Sequence, residues 1–502
     1  MVEFELLSVF VSGLLIFSRS VRSTGVIRDE IVVKGPGLSP DKIVMPARYF
    51  FIYFRGENYS GNETVETEDV KVVINGRTKA DLPCRLWSHV LNRKDSSVIV
   101  RYKLVGDPCY NVIINIAYKL AVIPGYPIYI KGPVYPDECK CPEDDIDVWL
   151  QDYGCDPNDK QIKADLGRFQ DVDVNSFYDR AVQRFNNSYS ASVCHYVVKS
   201  NEVYRNCYGH HVGFKVFMDK ILLSLTRKVV LPDLEFFSNL GDWPLMKLNR
   251  PDLFPMFSWC GSKETADIVM PSYDITDSTL ECMGTVSLDM LSVQGNIEKT
   301  WDEKEDKLFW RGRDSNEARL KLIDISREHP DLFNASLTNF FFFKDREDIY
   351  GPKVKHISFF KFFDYKYQLN LDGTVAAFRF PYLLVGDSVV LKQQSDYYEH
   401  FYHRVSPWVH YIPVKSDLSD LVEKVLWAKD NEEMAKTISK NARKFARNNL
   451  LPQHIFCYHV TLFNEWSRLL KSKVVIREDM EHVEGEAKGK KCDCNKLKRD
   501  EL

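Results

Sequence analysis

Two stretches of this 502-residue chain carry residue types suited to holding a phosphate. The first is Phe309-Trp310-Arg311-Gly312-Arg313-Asp314-Ser315, followed by Arg319. Arginine offers a fixed fork of donors to phosphate oxygens and keeps its charge at physiological pH. Glycine lets backbone amides come close to an anion. Arg319 falls where a helix after the strand would begin, and a helix N-terminus favours an anion. The same residues read equally well as a solvated charged turn, with Asp314 and Glu317 neutralising the arginines. The second stretch is Asp364-Tyr365-Lys366-Tyr367, then residues 369–373, then Ala376-Ala377-Phe378-Arg379-Phe380. It reads as a strand, a tight Asp-Gly turn and the start of a helix, the place where α/β sheets bind ligands. The two alanines leave room for a ligand, and Arg379 is long enough to reach a phosphate. The alternative is an ordinary helix entry with a surface arginine.

These stretches need elements to position them. Residues 24–134 read as all-β, with short apolar runs at 49–53, 70–74, 98–104, 112–122 and 126–130. Gly35-Pro36-Gly37, Asn75-Gly76, Asp107-Pro108 and Pro124-Gly125 separate them as turns. That spacing predicts an immunoglobulin-like β-sandwich. A Pro-, Cys- and Lys-rich boundary follows at 133–142, where Cys139-Lys140-Cys141 reads as a disulfide anchor. Residues 135–472 are mixed α/β. A helix is expected over 214–225, strands at 233–237 and 339–343, and helical structure over 416–450 with Ser416 or Asp417 as N-cap. That length suits two nucleotide-binding-like α/β halves around a cleft. Residues 473–502 are charged, contain Cys492-Asp493-Cys494, and read as a flexible tail.

Composition narrows the setting. A chain that is 44% hydrophobic and 27% charged is globular rather than disordered. A net charge of -4 gives no reason to expect a nucleic-acid partner. Residues 1–23 contain an apolar run too short to span a bilayer and read as a secretory signal peptide. No other stretch reads as a membrane span. The last four residues, Arg499-Asp500-Glu501-Leu502, match a KDEL-type address, which points to the endoplasmic reticulum lumen and a retrieval receptor. The 12 cysteines suit an oxidising compartment, as do the glycosylation sequons at Asn58, Asn62, Asn186 and Asn334.

Trp310-Arg311-Gly312, Tyr365-Lys366-Tyr367 and Ala377-Phe378-Arg379-Phe380 together resemble the Rumi-type protein O-glucosyltransferases, glycosyltransferase family 90. Gly241-Asp242-Trp243-Pro244 and Pro407-Trp408-Val409-His410-Tyr411 fit the same pattern in the same order. Lys34-Gly35-Pro36-Gly37-Leu38 resembles the entry of a filamin-type repeat. With that repeat in front and the retrieval address behind, the chain looks like the KDEL-motif-containing branch of the family. The resemblance implies a two-lobed, inverting GT-B transferase. Its donor substrate would be UDP-glucose or UDP-xylose, with no metal or further cofactor. Its acceptors would be serines in epidermal-growth-factor-like repeats of secreted or cell-surface proteins. It implies donor contacts from Arg311, Gly312, Arg313, Asp314, Ser315 and Arg319, and from Ala376, Ala377, Phe378, Arg379 and Phe380. The family often has Ser-Arg-Thr after its Arg-Gly, where this chain has Arg313-Asp314-Ser315, so sugar contacts are expected to differ.

In this family an aspartate upstream of the Gly-Asp-Trp-Pro motif acts as base. The corresponding stretch here, residues 204–211, has no carboxylate, and ungapped counting back from Asp242 reaches His210. Histidine serves as a base near neutral pH. Asp242 and Asp233 are the alternatives. The missing acidic base also supports a rival reading: a lumenal module that binds sugar, nucleotide or client protein without turnover. Asp145-Ile146-Asp147 and Asp171-Val172-Asp173 have bare Asp-x-Asp spacing and read as solvated faces rather than metal sites.

Overall fold

The computed structural model describes residues 31–54, 65–187, 189–280 and 289–485, together with Cys492 and Cys494. The leader, the last four residues and the sequons at Asn58 and Asn62 lie outside the described residues.

The first unit is a sandwich of two antiparallel sheets. One sheet orders its strands Val32–Lys34, Arg48–Tyr53, Ser97–Val105 and Arg85–Asn92. The other pairs Val70–Arg77 with Tyr110–Tyr118, which also holds Ala121–Val122 and Ile128–Ile130. Alternating β-branched and aromatic residues give each strand one inward face. Phe50, Ile52, Val98, Val100, Ile114 and Ile116 fill the space between the sheets. A Cys84–Cys109 disulfide ties the two sheets together. The outer face of the first sheet is buried too: Tyr49, Phe51 and Ile99 belong to the core of the α/β part. The sandwich is therefore seated on its neighbour and does not hang from a linker.

Two α/β lobes follow. The first has a mixed sheet ordered Ile268–Val269, Phe257–Ser258, Leu234–Asn239, Val193–Lys199, Glu202–Tyr208 and Glu481–His482. It departs from a parallel nucleotide-binding half. Ser200 and Asn201 adopt positive φ of 51° and 61°, and that turn folds the chain back as a hairpin. The second lobe has a fully parallel sheet ordered Phe333–Asn339, Glu305–Arg313, Tyr365–Asn370, Val389–Gln393 and Ile412–Val414. In chain order that is 2-1-3-4-5, which reverses direction between Glu305–Arg313 and Tyr365–Asn370. The helices Leu421–Asp430 and Glu432–Asn449 carry the chain out of this lobe. The helix Pro452–Leu469 then returns to the first lobe, where Phe463 and Trp466 pack on Phe236 and Phe257.

Three more expectations need correction here. The helical segment expected to be capped at Ser416 or Asp417 begins only at Leu421, with Asp420 at its N-cap position. The apolar run at 339–343 is not a strand. The strand ends at Asn339, and Phe341 and Phe342 stand exposed because the Asp314 carboxylate accepts from the amides of Phe341 and Phe343 and turns the chain. The charged segment after 472 is not free. Arg477 donates to the buried Glu235 at 2.8 Å, and Glu481–His482 adds an edge strand. Farther on, Cys492 and Cys494 pair with Cys139 and Cys141.

Candidate active site

The two arginine-bearing stretches leave the parallel sheet side by side. Arg311, Gly312 and Arg313 end the strand Glu305–Arg313, and residues 371–379 follow its neighbour Tyr365–Asn370. The order of the sheet reverses between these strands, so the connections part and leave a crevice at their C-terminal ends. A hollow of about 730 Å³ lies there. Arg311, Arg313, Arg319 and Arg379 line it, with Gly312, Ser315, Ala376, Ala377 and Phe378. Asp242, Tyr273 and Asp274 close it from the first lobe.

Arg319 holds the floor of the hollow together. Its Nε donates to Asp372 O at 2.8 Å, its Nη1 to Arg313 O at 2.8 Å and its Nη2 to Leu371 O at 3.3 Å. Asn316 caps the helix Glu317–Glu328 and donates to the carbonyls of Asp372 and Gly373, which adds a second tie between the loops. One glycine is required by space and a second sits in a tight fit. A Cβ on Gly312 would sit 2.5 Å from the buried Trp310 ring, and one on Gly373 would sit 3.1 Å from the Arg319 guanidinium. Burial, with nearby Arg379 adding to it, lowers the pKa of Arg319 to about 9. Burial lowers Arg379 to about 10, opposed by Asp274. Both cations stay protonated at neutral pH but lack full compensation, and an anion in the hollow would supply it.

The other sequence candidates fall on both sides of the wall. Arg311 lines the hollow, yet its guanidinium already donates to the backbone and side chain of Asn334, each at 2.7 Å. Arg313 reaches the rim, 5.9 Å from the ring centroid of Phe341. Asp314 is fully buried and spends both oxygens on the turn after Asn339, so it does not face the hollow. Phe380 is likewise core, stacked 5.9 Å from Phe401. Asn334 corrects the sequon reading. Its amide oxygen accepts from Arg311 and its amide nitrogen donates to Tyr365 at 2.8 Å, so it has an internal task where a glycan would attach. Asn186 is exposed.

Asp242 is held at the junction of the lobes. Asn239 accepts from the Gly241 amide at 2.9 Å and donates to Trp243 O at 2.6 Å, which fixes the loop. Tyr273 of the first lobe donates to Asp242 Oδ1 at 3.3 Å, and Thr374 of the second donates to Oδ2 at 3.4 Å. One oxygen thus faces each lobe. His210 does not share the hollow. The turn at Gly209, with φ +96° and no space for a Cβ, sends it outward beside His211, where it is exposed. Asp233 accepts from Ser200 N at 3.0 Å in the hairpin turn and also lies away from the hollow. Asp145 and Asp173 cap helices, and Asp171 pairs with Lys471 at 2.8 Å.

Sequence reasoning missed Tyr273, Asp274 and Thr374. Asp274 faces into the hollow, where water reaches it although protein surrounds it on most sides. That burial raises its pKa to about 6, against the pull of Arg379. Nothing in the spacing around Tyr273 and Asp274 marks them, because they open an ordinary helix, Tyr273–Leu280. Asn316 was legible in principle, standing three residues before Arg319 as an N-cap.

Comparison with known proteins places this geometry in context. The model of glycosyl transferase family 90 matches residues 151–501. The chain is 48% identical over 457 residues to protein O-glucosyltransferase 2 of Danio rerio, covering 90% of each chain. It is 43% identical over 480 residues to protein O-glucosyltransferase 3 of Homo sapiens, covering 94% of each. Among solved structures, the Lin-41 filamin domain matches 20% of this chain and 90% of its own at 16% identity. Its TM-score of 0.15 is too low to carry an argument.

Proposed function

The chain belongs to glycosyltransferase family 90, and from that premise we propose that it transfers glucose or xylose from a UDP-sugar to serine hydroxyls of epidermal-growth-factor-like repeats. The observation that carries the proposal is the meeting of Arg319 and Arg379 with Asp242 in one hollow. Arg319 and Arg379 hold the pyrophosphate and stabilise the charge that grows as UDP leaves. They supply positive charge where other transferases use a metal ion. Asp242 takes the proton of the acceptor serine as its oxygen attacks the anomeric carbon. One displacement from the opposite face breaks the bond to UDP and inverts the configuration. Asp242 replaces His210 in this role because it faces the hollow and His210 does not. Holding acceptor and donor in line supplies much of the rate.

The sandwich is read as a filamin-like repeat and the lobes as a GT-B pair. Among the described residues no helix is long and apolar enough to cross a membrane. A lumenal enzyme of the endoplasmic reticulum, retrieved through Arg499-Asp500-Glu501-Leu502, fits the disulfides at Cys84–Cys109, Cys155–Cys457 and Cys194–Cys207.

Release of UDP from UDP-glucose or UDP-xylose, with a folded epidermal-growth-factor-like repeat as acceptor, tests the proposal. Asp242→Asn should lower kcat by about 10²- to 10⁴-fold while UDP still binds. Wild-type turnover by that variant would remove Asp242 as base. Failure of the native chain to release UDP with either donor would reject the transfer itself.

A further inference from the structure

The sandwich touches the α/β part through two ion pairs that lead toward Arg379. Arg101 donates from the outer face of the sandwich to Asp289 Oδ2 at 3.0 Å and to Ser292 Oγ at 3.3 Å. Asp289 caps the helix Met290–Gly295 by accepting from Ser292 N at 2.7 Å. At the far end of that helix, a Cβ on Gly295 would lie 2.7 Å from Leu91 of the sandwich, so strand and helix are in direct contact. The second pair joins Asp95, in the sandwich turn before Ser97–Val105, to Arg447 of the helix Glu432–Asn449 at 2.6 Å. The side chains of both pairs are largely buried, with exposures of 10–17%.

Both gripped helices pack against one short helix, Phe380–Val385. That helix starts directly after Arg379, and its Tyr382 faces the same hollow. Arg379 spends one nitrogen on Arg311 O at 2.6 Å. Its position therefore depends on the strand end and on the helix behind it. A buried ion pair fixes geometry tightly, and removing one partner leaves a charge uncompensated. Loosening either grip would let Phe380–Val385 shift and move the Arg379 guanidinium.

We propose that Arg101 and Asp95 of the sandwich are positioning residues for the donor site, acting through Met290–Gly295 and Glu432–Asn449 on the helix that carries Arg379. The sandwich is then part of the donor-binding apparatus and not only a separate module. The inference rests on the reading of the hollow as a donor site.

The test uses the full chain with Arg101→Ala, Arg101→Lys and Asp95→Asn. UDP affinity is measured by calorimetry, and kcat and KM for the donor by UDP release. Arg101→Ala and Asp95→Asn should each raise the UDP Kd and the donor KM by about fivefold and lower kcat as well, with the acceptor KM close to native. Arg101→Lys should recover most of the loss. A merely structural role would reduce the folded fraction, lowering apparent kcat and Tm while leaving Kd and KM unchanged. That pattern overturns the inference. If Arg101→Ala does not fold, Asp95→Asn and Arg101→Lys decide the matter by the same comparison. Native chain that bound no UDP would instead bring down the donor-site reading, and this inference with it.

Discussion

Arg319 uses its guanidinium on three backbone carbonyls before any ligand is present. It orders the two loops and adds positive charge to the hollow at once. Behind the site stands Glu399, fully buried. Burial, with neighbouring Asp274 adding to it, raises its pKa to about 8. The folded protein therefore holds this proton more tightly than the unfolded chain does. The resulting stability is complete below the ordinary glutamate range, declines as pH rises, and is lost once pH passes about 8. Glu399→Gln should be increasingly more stable than the native chain from pH 5 to pH 8, with a constant difference above that. Thermal melts across this range provide the check, and a Tm difference that is flat with pH would contradict it. At this scale the arginines were half-legible: residue type offered a phosphate site and a solvated charged turn equally, and only the fold brings Arg311, Arg313, Arg319 and Arg379 to one hollow. Tyr273, Asp274 and Thr374 were not legible, since their role comes from two lobes meeting, which no local pattern records. His210 misled for the same reason: counting along the chain ignores the turn at Gly209.

The strand Glu305–Arg313 and its parallel neighbour do most of the positioning. Their C-terminal ends lie together at the reversal of strand order, and that alone brings residues 311–319 and 371–379 to one crevice. Gly312 lets the strand end sit against the buried ring of Trp310. Gly312→Ala should cost about 1–3 kcal/mol in urea unfolding, the range for overpacking a core, and should also weaken donor binding. Unfolding unchanged from the native chain would show that the contact relaxes freely. The elements themselves were partly readable. The helix Lys215–Thr226 and the strand Leu234–Asn239 fall close to their expected places because apolar period decides them. The run at 339–343 was misread because a buried carboxylate, Asp314, overrides the β propensity of four aromatic residues. The mixed order of the first sheet depends on the positive φ of Ser200 and Asn201, which composition does not specify.

In the whole molecule, one of three hydrophobic clusters among the described residues joins all three units. Tyr49 and Phe51 of the sandwich, Phe236 and Trp466 of the first lobe, and Phe380 of the second all belong to it. Asp242 bridges the lobes through Tyr273 and Thr374, so both lobes together place the proposed base. The change from all-β to α/β near 133–142 was visible in composition. The seating of the sandwich and the docking of residues 474–485 were not, because both depend on surfaces distant in sequence.

The central claim is that guanidinium groups from two separated stretches converge on one pyrophosphate. Calorimetric titration of UDP and of uridine into the full chain tests it most directly. Taking the ratio of the two affinities removes any effect of a reduced folded fraction. The account predicts that Arg319→Ala and Arg379→Ala each lower the preference for UDP over uridine by about tenfold or more, the worth of a charge-assisted hydrogen bond. A preference unchanged in both variants would contradict it.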